Sequence, residues 1–213
     1  MHPSASPAIN SDMQNGMLHR CAALGAIALT QSVFAQGTFV YDQQSADENT
    51  PGGAAGVIQF LQPLGQSFTP TFSSVGFIRL FIYDAQTGND LGATLHVNLR
   101  SDSITGPILA TTDPVVLPDG GGRHVNFFFS APVSVTPGAT YYFQPEVQSG
   151  DLWAIVSYPY NYPRGTAFAH GLPDPNDLWF REGIYIPEPS AALLLVCGGG
   201  LVGWYRRRKS LGG

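Results

Sequence analysis

Residues 75–83 read Val-Gly-Phe-Ile-Arg-Leu-Phe-Ile-Tyr, and residues 93–100 read Ala-Thr-Leu-His-Val-Asn-Leu-Arg. In the second stretch Leu95, Val97 and Leu99 fall on one side, and His96, Asn98 and Arg100 on the other. That is the period-2 pattern of a strand with one buried face. The first stretch is apolar on both sides except at Arg79, which predicts a central strand. Working outward, Val125, Phe127 and Phe129 alternate against Asn126 and Ser130 in the same way.

Short runs of this kind recur from end to end of the middle of the chain: Gly37–Tyr41, Gln66–Thr69, Ile108–Thr111, Pro114–Leu117, Arg123–Ser130, Val133–Val135, Thr140–Val147, Leu152–Ser157, Thr166–Ala169 and Leu178–Tyr185. They are rich in Phe, Tyr, Val and Ile and mostly too short for helices. Turn-forming clusters separate them, among them Thr87-Gly-Asn-Asp90, Pro118-Asp-Gly-Gly-Gly122 and Thr136-Pro-Gly138. No amphipathic helical period of useful length interrupts the pattern. The expectation is an all-β fold, a single β-sandwich spanning residues 36–186. Asn49–Gly56, rich in Pro, Gly and Ala, reads as a loop or insertion.

Between residues 36 and 186 five arginines stand against thirteen carboxylates, a formal balance of −8. The chain's one lysine, Lys209, lies outside this stretch, so the whole-chain charge of −5 understates its acidity. A domain this negative repels phosphate backbones, which argues against nucleic acid as a partner. The two cysteines, Cys21 and Cys197, both fall outside it. Neither a disulfide nor thiolate chemistry is therefore expected in the domain.

The ends have a different character. Met17-Leu-His-Arg20, the apolar Cys21–Leu29 and the small-residue exit Thr30–Ala35 have the three parts of a secretory signal. Val33 and Ala35 suit the −3 and −1 positions, placing cleavage between Ala35 and Gln36. Residues 1–35 are read as this leader. Residues 1–16 are either a disordered extension or upstream of a true start at Met17. At the other end come Ile186-Pro-Glu-Pro-Ser190, an apolar run Ala191–Tyr205, a basic stop Arg206-Arg207-Arg208-Lys209, and a short tail 210–213. The prolines set a sharp boundary. The basic stop predicts a transmembrane helix with its charges cytoplasmic.

The motif Pro187-Glu188-Pro189, the apolar run and the basic stop occur in the order of the PEP-CTERM sorting signal of Gram-negative bacteria, which residues 187–209 closely resemble. The resemblance implies an exosortase-type membrane processing enzyme as a partner. It implies anchoring in the inner membrane before processing, then release to the cell surface or matrix, and association with exopolysaccharide. A permanent single-pass anchor is the plainer alternative.

The order of motifs within the domain is similar in outline to jelly-roll sandwiches of the galactose-binding-like and carbohydrate-binding-module kind. The motifs concerned are Gly65-Gln-Ser-Phe-Thr69, Val97-Asn-Leu-Arg100, Val135-Thr-Pro-Gly138 with Thr140-Tyr-Tyr142, and Asp177-Leu-Trp-Phe180.

Signals for catalysis are thin. There is no Gly-x-Ser-x-Gly elbow, no His-Glu-x-x-His and no phosphate-cradling glycine loop. The domain's histidines, His96, His124 and His170, are expected to face solvent. Asp174-Pro-Asn-Asp177 has the oxygen donors for a structural Ca²⁺, with Asp42 or Glu146 as further ligands. An Asx turn is the simpler reading; no other cofactor is expected. The strongest binding signal is Ser157-Tyr-Pro-Tyr-Asn-Tyr-Pro-Arg164. Prolines stiffen the segment, Tyr158, Tyr160 and Tyr162 offer ring faces for sugar C–H groups, and Asn161 and Arg164 add polar contacts. Trp153 and Trp179 would extend that platform. The expectation is a non-enzymatic exported protein that associates with polysaccharide. A structural surface protein without a discrete ligand and a glycan-active hydrolase are the alternatives.

Overall fold

The computed structural model describes residues 37–187. Ala35, Gln36, Glu188, Pro189 and the basic stop Arg206, Arg207, Arg208 and Lys209 lie outside the described residues, and Pro187 is the last of them. Gly37–Ile186 forms one compact unit. Fourteen strands and no helix fall within the described residues.

The strands make two antiparallel sheets of seven. The front sheet holds β1 (Thr38–Gln44), β2 (Ala54–Val57), β4 (Ser74–Asp84), β8 (Arg123–Ser134), β10 (Trp153–Tyr158), β13 (Asp177–Leu178) and β14 (Phe180–Ile186). The back sheet holds β3 (Gly65–Phe68), β5 (Ala93–Arg100), β6 (Ile108–Thr111), β7 (Val115–Leu117), β9 (Tyr141–Gly150), β11 (Ala167–Ala169) and β12 (Leu172–Asp174). Alternation buries one side of each. Ile78, Leu80 and Ile82 of β4 meet a core that includes Leu95, Val97 and Leu99 of β5 and Phe143 of β9. The whole arrangement is a β-sandwich.

β4 is the central strand its composition predicts. β8 pairs along one edge, and β14 then β10 pair along the other. Three expectations need correction. Ala54–Gly56 is not loop: it belongs to β2, which lies beside β10 with Ala55 opposite Val156. Arg123–Ser130 and Val133–Val135 are largely one strand, β8, with a register shift opposite Val75/Phe77. Leu178–Tyr185 is broken at Trp179, whose amide donates to the Val156 carbonyl at 2.8 Å while its ring turns to the outer face. The chain's two described ends meet, because Thr38 of β1 is the register partner of Ile186 in β14.

Candidate functional site

The tyrosine segment leaves β10 and crosses toward β3. Its path depends on Gly165: a Cβ there would lie 1.9 Å from the Ser67 carbonyl oxygen, so only glycine fits this crossing. Ser67 anchors the crossing by accepting at its Oγ from the Thr166 amide at 2.8 Å. Asn161 takes the left-handed φ of 58°, and its side-chain amide donates to the Pro159 carbonyl at 3.2 Å.

The three tyrosines then separate. Tyr158 is 50% exposed, and its ring lies 5.6 Å from that of Tyr160 at 55°. Tyr160 is half-buried against Trp179 and Val156, and burial beside Tyr158 lifts its hydroxyl above the ordinary phenol value. Asn161 is exposed between them and Tyr162. Tyr162 points inward. Its ring packs edge-on against Phe180 at 5.1 Å, and its hydroxyl donates to Gln43 Oε1 at 3.0 Å. The expectation of a third exposed face is therefore wrong at Tyr162. The apolar ring is worth more in the core, and the core supplies an acceptor for its hydroxyl.

Trp153 and Trp179 are also removed from the platform, since both are fully buried. Trp153 belongs to the inter-sheet core, with Arg123 5.7 Å from its ring centroid. Trp179 donates from Nε1 to the Asp47 carbonyl at 3.3 Å. Arg164 is exposed, but it sits by the back sheet, where its carbonyl accepts from the Thr69 hydroxyl at 3.1 Å. The platform contracts to Tyr158, Tyr160 and Asn161.

The acidic loop is a turn. The Asn176 amide donates to Asp174 Oδ1 at 2.8 Å, the geometry of an Asx turn. Asp177 is buried and accepts from Gln66 Nε2 at 2.9 Å and from the Tyr162 amide at 2.8 Å. Its oxygens are already engaged, which corrects its reading as a ligand. Among the described residues no group of three His, Cys, Asp or Glu side chains converges as a metal site would require. Of the proposed further ligands, Glu146 pairs with His96 at 3.3 Å. Asp42 accepts from the amides of Thr71 and Phe72 at 2.6 and 2.8 Å and from the Thr71 hydroxyl. Partial burial pushes the Asp42 carboxyl up, and these hydrogen bonds more than offset it and hold the group below its ordinary value.

Two features were not foreseen. Glu182, inward on β14 opposite the β1 bulge, is fully buried, and neither carboxyl oxygen has a hydrogen-bond partner. Burial, with the nearby Asp42 charge, pushes it up to about 9, so it is a neutral acid at pH 7. The second feature is the outer face of the front sheet. There Phe77, Arg79 and Phe81 of β4 stand in register with Phe128, Asn126 and His124 of β8. His124 lies 4.5 Å from the Phe81 ring and 4.4 Å from Trp179. Half-buried against these rings, it is not the solvent-facing group expected, and burial, then the Arg79 charge, holds it below the ordinary imidazole value. His96 is likewise engaged, and His170 is exposed in a left-handed conformation (φ 54°). The sequence signal for the outer face was the doubled apolar character of 75–83; its register partners were not legible.

No protein-family model and no curated protein matches this chain.

Proposed function

We propose that this chain is an exported, non-enzymatic sandwich of jelly-roll type, presented at the cell surface or in the matrix, that associates with extracellular polysaccharide. The leader-like residues 1–35 and the PEP-CTERM-like residues 187–209 support the route, by way of an exosortase-type enzyme at the inner membrane. The observation that carries the ligand class is the pairing of the exposed Tyr158 with the half-buried Tyr160, rings 5.6 Å apart on a proline-stiffened segment. Two rings fixed in advance cost little entropy on binding, and their faces suit sugar C–H groups.

The test is binding of residues 37–186, a unit with its own core, to a panel of bacterial exopolysaccharides, with Ca²⁺ and with chelator. Saturable binding lost in the Tyr158→Ala/Tyr160→Ala double variant supports the reading. Absence of binding under both conditions overturns it and leaves a structural surface protein.

A further inference from the structure

Two of the domain's five arginines are register partners: Arg181 of β14 stands beside Arg79 of β4 on the outer face. Like charges side by side on a sheet repel. Here both guanidiniums converge on one carboxylate, that of Glu48. Arg79 Nε lies 2.9 Å from Oε1, a charge contact, and Arg181 Nη1 donates to Oε2. The sheet holds each arginine from its other side. Arg79 Nη1 donates to Asn126 Oδ1 at 2.9 Å, and Arg181 Nε donates to Gln44 Oε1 at 2.9 Å. The Arg181 guanidinium carbon also rests 3.4 Å from the centroid of the Tyr41 ring.

The carboxylate has a different origin from the arginines. Glu48 belongs to the turn after β1, and its side chain is 38% exposed against 19% and 14% for Arg79 and Arg181. The other charged group near Arg181 is Asp47, in the same turn. Its carboxyl is held below its ordinary value first by the Asn49 amide and the Thr50 hydroxyl, and least by Arg181. His124, next to Arg79, supplies no negative charge; burial first, then the Arg79 charge, holds it below the ordinary imidazole value. Both compensating charges thus come from one loop, while the two cations are built into the sheet. Aromatic side chains flank them: the half-buried Phe81 and His124 on one side, and on the other the half-buried Phe128 beside Phe77, which is fully buried against Phe39 and Tyr41. Each row is two residues along the strand, roughly 7 Å away.

We propose that the Arg79–Arg181 pair binds the carboxylate of a uronic-acid sugar, and that Glu48 occupies this position when no ligand is bound. Planar guanidiniums match a carboxylate in direction as well as charge. The ligand carboxylate displaces Glu48 into water, and its sugar ring lies against the half-buried Phe81–His124 row. The sugar class rests on the polysaccharide reading above; the demand for a carboxylate stands on the arginines.

The experiment measures affinity for polygalacturonate, its methyl ester and dextran sulfate at 0.15 M salt, where long-range steering is screened to about 8 Å. Wild type, Glu48→Gln, Arg181→Gln and the Tyr158→Ala/Tyr160→Ala variant are compared, each checked by thermal unfolding. The expected result is roughly tenfold or greater preference for the acid over the ester. Arg181→Gln should abolish that preference, and Glu48→Gln should tighten acid binding several-fold. The Glu48 variant protects the test against a folding defect, because a merely structural clamp predicts weaker binding or none. Equal affinity for acid and ester, equal affinity for dextran sulfate, or an unchanged Glu48→Gln overturns the proposal. If the tyrosine variant alone loses binding, the rim reading stands and this one falls. If Arg181→Gln alone loses it, the reverse holds.

Discussion

Glu182 places an ionisable group where water cannot reach it. Its value of about 9 stands above the ordinary 4.5, so the folded state holds a proton that the unfolded chain releases. Stability from this source is fully present below pH 4.5. It declines as pH rises and is lost by about pH 9. Urea unfolding of wild type and Glu182→Gln should agree within about 1 kcal/mol at pH 4.5, where the folded Glu182 is neutral and the unfolded one is only half ionised. At pH 7 the variant should be more stable by on the order of 3 kcal/mol. A wild type whose stability is flat between pH 5 and 8 would refute this account. At the same scale, Trp179→Ala should cost roughly 3–5 kcal/mol, while Tyr158→Ala should stay within about 0.5 kcal/mol. That contrast, read by denaturant midpoint, separates a ring that packs from a ring left free for a ligand. The two looked alike in the sequence. Both are aromatic residues beside turn-forming neighbours, and nothing local says which way a loop ring will face.

At the scale of elements, alternation did most of the work. Val75–Tyr83 reads as a central strand because both faces are apolar, and β4 is bordered on both edges. β2 escaped notice because Ala54-Ala-Gly-Val57 has neither β-branching nor alternation before its last residue. It is a strand only because β10 offers it an open edge. The outer exposed edge is blunted: Asp113 and Pro114 interrupt β6 and β7, and the Asp113 amide turns to the Phe128 carbonyl of β8 at 2.8 Å. The tyrosine loop depends on a single close approach. Gly165→Ala must push a Cβ against the Ser67 carbonyl and should lower the melting temperature by several degrees. On the proposed polysaccharide reading, it should weaken glycan binding as the Tyr158→Ala/Tyr160→Ala variant does. An unchanged melting temperature would mean that the loop crosses β3 differently.

For the molecule as a whole, the pairing of first and last strands dominates. β14 lies between β1 and β4 and carries Phe180 into the core. A chain ending at Leu178 should therefore fail to fold, while one spanning 37–186 should unfold in one cooperative step. Circular dichroism and denaturant titration of the two decide it. Because such pairings are distant in sequence, folding should take milliseconds to seconds.

The sequence by itself determined the all-β class, the strand positions with strong alternation, the acidity of the domain and the segment that carries Tyr158 and Tyr160. These follow from local properties, namely side-chain period, turn chemistry and net charge, each of which acts over a few residues. Only the tertiary structure decided that Tyr162 and Trp153 enter the core and that Trp179 is buried against the outer face, that Asp177 serves a hydrogen-bond network, and that Arg79 meets Arg181 and Glu48. Those outcomes depend on register and contacts between segments distant in sequence, more than 100 residues apart for Arg79 with Arg181, Gln66 with Asp177 and Gln43 with Tyr162. A shift of one residue would turn every side chain to the opposite face.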